Sequence, residues 1–123
     1  MDLGRAILFS ITVLCGLVLY CQTALAEEFL VGGPEGWSEN ISNWPPNGTT
    51  FHAGDVLEFV YDPREYNVVV VDKVGYETCR APLGASANDS GNDQVYLEKG
   101  ANYFICTKRG CCEKNMKIVI IAE

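Results

Sequence analysis

The apolar and polar positions of this chain alternate in short runs. In "DVLEFVYD", residues 55–62, Leu57, Phe59 and Tyr61 fall on one face and Val56, Glu58 and Val60 on the other. That is the period of two an extended strand imposes. The segments "EEFLVGG", "YNVVVVD", "DQVYLEKG", "ANYFICT" and "MKIVIIAE" are equally short and rich in Val, Ile, Tyr and Phe. Between them stand "GGPEGW", "NWPPNGTT", "HAGD", "YDPRE" and "EKGAN", whose residues favour turns. The pattern predicts an all-β fold, a two-sheet Greek-key sandwich or barrel. Val68–Val71 is apolar on both faces, which marks a central strand covered on both sides. "GYETCRAPLGASANDSGND", residues 75–93, is the least β-like stretch and reads as a long connection with one helical turn.

The N-terminus follows another pattern. Arg5 precedes a long apolar run that ends at Ala24-Leu25-Ala26, a small-x-small cleavage signature, so residues 1–26 read as a secretory signal peptide. Residues 27–123 then form one small domain with one core. No repeat or second domain is visible. The expected destination is the extracellular space. The sequons Asn40-Ile-Ser42, Asn47-Gly-Thr49 and Asn88-Asp-Ser90 agree with that route as N-glycosylation sites.

The net charge is −7, and the leader removes one acid and one base, Asp2 and Arg5, so the domain keeps that value. An acidic surface disfavours nucleic acid and anionic membrane as partners. The ending "KIVIIAE" carries no hydrophobic tail after a spacer, so no membrane anchor is expected in the mature chain. The expected state is a monomer with an extracellular partner that the sequence does not name. Asp55, Asp62, Glu65 and Asp72 read as strand-end and surface charges, and nothing supplies a general base, so an enzyme is not expected.

Cysteine is the remaining chemistry. The leader takes Cys15 and Cys21 and leaves Cys79, Cys106, Cys111 and Cys112. Four cysteines allow three full pairings, and an oxidising compartment favours at least one disulfide. Cys106, Cys111, Cys112 and Met116 crowd one loop as soft potential ligands, yet the loop holds no histidine.

The stretches "VGGPEGW", "FHAGDVLEFVYD", "YNVVVVD", "YETCRAPLGA", "SGNDQVYLEKGANYFICT" and "GCCEKNMKI", in this order, resemble the phytocyanins, plant extracellular cupredoxins, and among them the plantacyanins or basic blue proteins. The resemblance covers about residues 28–123. It implies a cupredoxin-like sandwich, an electron-transfer role in the plant cell wall, and a disulfide between Cys79 and Cys112. It also implies a blue-copper site built from two histidines, a cysteine and an axial methionine, a set that tunes a copper couple. Carried onto this chain, the thiolate position is Cys106 and the axial position Met116. The two histidine positions hold Tyr66 and Cys111. His52, the only histidine, falls in a turn that the resemblance places away from the copper end.

A degenerate copper site therefore leaves three outcomes for Tyr66, Cys106, Cys111 and Met116. Tyrosine fills the histidine space in a metal-free core end, Cys106 and Cys111 close a second disulfide, or two thiolates and Met116 form a soft Cu(I) or thiol-redox site. The expectation is a non-blue binding or signalling module without a cofactor, with copper binding and electron transfer as the alternative. The end near Tyr66, Pro63 and Arg64 is where a partner is expected.

Overall fold

In the computed structural model, residues 25–123 are described; the expected leader lies outside them except for its last two residues. Seven strands are present: β1 (Glu28–Leu30), β2 (Val56–Val60), β3 (Val68–Val71), β4 (Ala87–Asn88), β5 (Asn92–Tyr96), β6 (Gly100–Ile105) and β7 (Lys117–Ala122). One helix, α1 (Lys73–Thr78), and three 3-10 turns, Gly33–Glu35, Ile41–Asn43 and Cys112–Lys114, complete the chain. The strands make two sheets, ordered β1-β2-β5 and β4-β3-β6-β7. β1 runs parallel to β2, and every other pairing is antiparallel.

Alternation explains the core. Leu57 and Phe59 of β2 face Val68, Phe104, Ile118 and Ile120 of the second sheet, and all are buried. Aromatic rings bridge the layers: Trp37 meets Phe59 edge-on at 5.1 Å, and Phe59 lies 5.2 Å from Phe104. Such tilted and edge-on pairs add to the area they bury. The Trp37 indole N–H donates to the carbonyl of Asn67 at 2.9 Å, which satisfies its one buried donor.

The valine run is covered as its two apolar faces require. Val68 joins the main core, while Val69 joins a second cluster with Ile105 and Cys112 beneath α1. Val70 is half-exposed, and β4 pairs only with Val68 and Val69.

Three features differ from the sequence expectation. Helix α1 starts at Lys73, before the stretch in which a helical turn was expected, because Asp72 caps it by accepting the Gly75 N–H at 2.8 Å. A side chain at Gly75 would meet the Arg80 carbonyl at 2.7 Å and Val71 at 2.8 Å, so glycine lets the helix lie against β3. Strand β4 has no signature in the sequence, since two residues are too few to show a period. Asp55 is buried rather than a surface charge: its carboxylate accepts the backbone N–H groups of Glu27 (3.0 Å) and His52 (2.8 Å) and so ties the N-terminal strand to the turn before β2.

Candidate functional site

Two loops meet at one end of the sandwich, residues 61–67 between β2 and β3 and residues 106–116 between β6 and β7. The second loop is held by its own backbone. The Cys106 N–H donates to the Met116 carbonyl at 3.1 Å and the Met116 N–H to the Cys111 carbonyl at 3.1 Å. The Cys111 N–H donates to the Lys108 carbonyl at 2.9 Å, and the 3-10 turn after it ends on Asn115 in the left-handed region. These bonds bring Cys106, Cys111 and Met116 together, all buried in the main core cluster. Tyr66, half-buried, packs against the same cluster. The fold thus gathers Tyr66, Cys106, Cys111 and Met116 at one place.

The sulfurs are not free. Cys106 is bonded to Cys111, with α-carbons 5.6 Å apart, and Cys79 to Cys112, with α-carbons 5.7 Å apart. Cys111 and Cys112 are neighbours in sequence yet enter different clusters, Cys111 the main core and Cys112 the one under α1. Of the four gathered side chains, Met116 is the one that keeps an unbonded sulfur. No imidazole is among them. Among the described residues no group of three or more His, Cys, Asp or Glu could hold a metal ion.

Tyr66 turns its polar end outward. Its hydroxyl donates to Glu39 Oε1 at 3.4 Å, and Lys114 Nζ stands 3.7 Å from the same oxygen. Burial raises the Tyr66 pKa above the ordinary phenol value, and the charges of Glu39 and Glu65 add to the rise. The phenol is therefore neutral at physiological pH. A shallow cavity of about 200 Å³ opens here, lined by Glu39, Glu65, Tyr66, Lys108, Arg109 and Lys114 over Cys111. Lys108 Nζ donates to the Pro63 carbonyl at 2.8 Å and joins the two loops at the rim. Nearby, Arg64 forms an exposed pair with Asp62 at 3.0 Å, which holds the Asp62 carboxyl below its usual range.

The participation of Glu39 and Asn67 was not apparent from the sequence. Glu39 reaches Tyr66 from a loop 27 residues upstream. Asn67, buried, spans to Thr107, 40 residues downstream. No local pattern signals either contact.

His52 lies elsewhere. Its ring nitrogens stand 3.9 Å from Asp55 and 3.8 Å from Glu123. The adjacent Phe51 bridges to Ala122, the last residue of β7, whereas Met116 precedes the first. Six residues of strand, about 20 Å, separate the two ends. Of the sequons, Asn40 and Asn47 are exposed and Asn88 is half-buried in β4. Among the described residues no helix is long and apolar enough to cross a membrane.

The profile of the plastocyanin-like domain family matches residues 35–116. The chain is 48% identical to the basic blue protein of Cucumis sativus over 94 residues, 76% of this chain and 97% of that protein. It is 42% identical to chemocyanin of Lilium longiflorum over 118 residues, 96% of this chain and 92% of that one. Among solved structures, cucumber basic protein, described as a blue copper protein, superposes with a TM-score of 0.74 at 47% identity, covering 78% of this chain and 99% of the other. Family profile, relatives and superposed fold agree, and the chain belongs to the phytocyanin family.

Proposed function

We propose that this protein is a secreted phytocyanin whose copper site is degenerate and which acts by binding an extracellular partner rather than by carrying electrons. The observation that carries this reading is the bond between Cys106 and Cys111. A type 1 copper centre needs a thiolate and two imidazoles around the metal. Cys106 is the thiolate position by resemblance, and a sulfur in a disulfide is no thiolate. Tyr66 and Cys111, at the histidine positions, offer a phenol turned to Glu39 and a second disulfide sulfur. This donor set does not fit a blue centre.

The disulfide also accounts for a fold that needs no metal. A metal at this place would clamp the 106–116 loop to the loop before β3. Here a disulfide joins Cys106, where the loop begins, to Cys111 within it, and the hydrogen bonds of Asn67 and Lys108 connect the two loops. What remains for function is the surface around Tyr66, Pro63 and Arg64, where charged side chains surround a shallow cavity.

The test is metal analysis of the purified secreted protein, with visible absorption and electron paramagnetic resonance before and after addition of Cu(II). Absence of an intense thiolate-to-copper band is expected. Stoichiometric copper with that band would overturn the proposal in favour of electron transfer, the reading that similarity to a blue copper protein supports. Alkylation without prior reduction distinguishes the Cu(I) or thiol-redox reading, since two free thiols at Cys106 and Cys111 would revive it.

A further inference from the structure

Asn40 occupies an unusual position among the three sequons. It precedes the 3-10 turn Ile41–Asn43 with φ 59°, makes no capping hydrogen bond through its side chain, and is exposed. Its backbone N–H donates to the Lys114 carbonyl at 3.1 Å, which fixes the residue against the body of the domain. Asn40 is one of the residues that line a cavity of about 280 Å³. Pro34, Ile41 and Trp44 give that cavity apolar surface, and Glu35, Ser38 and Asn43 give it polar groups. Neither Asn47 nor Asn88 lines it.

An indole beside an amide, a hydroxyl and a carboxylate suits a sugar ring, which has an apolar C–H face and a hydroxyl edge. The volume lies just below the ~300–1,000 Å³ range of small-molecule sites, room for one or two rings rather than a long oligosaccharide. We infer that Asn40 carries an N-glycan whose first N-acetylglucosamine seats in this cavity against Trp44 and becomes part of the fold. Tethering makes the contact intramolecular, with an effective concentration in the mM range for a short linkage. A seat too weak to capture a free sugar therefore holds this one. Because the sugar meets Trp44 only in the folded state, its contact stabilises the native chain. The inference rests on the secretion part of the proposed function.

The experiment uses the full chain secreted from a glycosylating host, with Asn47→Gln and Asn88→Gln so that only Asn40 can be modified. One sample is trimmed by an endoglycosidase that leaves a single N-acetylglucosamine on asparagine. The reference is Ser42→Ala, which keeps Asn40 but removes the sequon. The trimmed protein is expected to keep the Tm of the fully glycosylated form. Ser42→Ala is expected to melt lower by about 4–8 °C, a shift readily measured in a domain of this size. Trp37 is buried, so iodide quenching of fluorescence reports on Trp44, and quenching should rise in Ser42→Ala. Equal Tm and equal quenching in the trimmed and Ser42→Ala proteins would overturn the seat. So would mass spectra of the secreted wild-type chain with Asn40 bare and Asn47 or Asn88 occupied. If the chain is not exported and all three sequons are bare, the secretion reading fails with it.

Discussion

Asn67 and Thr107 are joined by two reciprocal hydrogen bonds across 40 residues of sequence. The Asn67 amide donates to Thr107 Oγ1 at 2.9 Å, and the Thr107 backbone N–H donates to Asn67 Oδ1 at 2.8 Å. The pair fastens the residue after Tyr66 to the residue after Cys106, so it holds the two loops of the candidate site in register. Asn67→Ala is expected to cost about 1–3 kcal/mol, since it deprives a buried position of both bonds. Asn67→Asp should cost less, because its carboxylate still accepts from Thr107. Chemical denaturation of the three proteins checks the order.

The two disulfides should differ in what they contribute. Loop entropy assigns about 4 kcal/mol to Cys79–Cys112, which closes 33 residues, and about 2 kcal/mol to Cys106–Cys111, which closes five. Replacing each pair by serine, one pair at a time, should therefore lower the unfolding free energy about twice as much for the long loop. Equal losses would mean that native-state packing, not the unfolded chain, dominates the effect.

Placing imidazole at the site should bring metal chemistry only when both positions change. In Tyr66→His/Cys111→His, Cys106 loses its disulfide partner and gains two neighbouring imidazoles, with Met116 still buried beside it. The double variant should take up one Cu(II) and show an intense visible thiolate-to-copper band, and native protein none. Cys111→His alone should bind more weakly, with Tyr66 still turned to Glu39.

Alkaline pH should weaken the fold through Tyr61. Burial and the hydrogen bond to Asp93 raise its pKa well above 10. The hydroxyl is also within 3.0 Å of the Asn88 carbonyl. A phenol raised in the folded state contributes fully below the unfolded pKa of about 10. Above that value the unfolded chain ionises first, and the contribution falls as pH climbs toward the folded pKa. Unfolding free energies at pH 9 and pH 11 should show the loss in the native chain and less of it in Tyr61→Phe.

The sequence by itself determined every strand but the two-residue β4, because each of the others records the burial of its own faces in a local period. Leu57 and Phe59 point inward and Glu58 and Val60 outward for that reason, and the doubly apolar Val68–Val71 became the strand packed on one side by the core and on the other beneath α1. It also placed Tyr66 at the head of that run and four sulfurs in one loop. Tertiary structure decided what those residues do. Cys111 and Cys112 differ by one position, yet one turns to Cys106 and the other to Cys79, since the backbone between them carries their side chains into opposite clusters. Asp55 reads as a surface charge in sequence and is a buried staple in the fold, because the amides that satisfy it come from Glu27 and His52. Glu39 and Asn67 find their partners 27 and 40 residues away, a distance over which the chain keeps no periodic record.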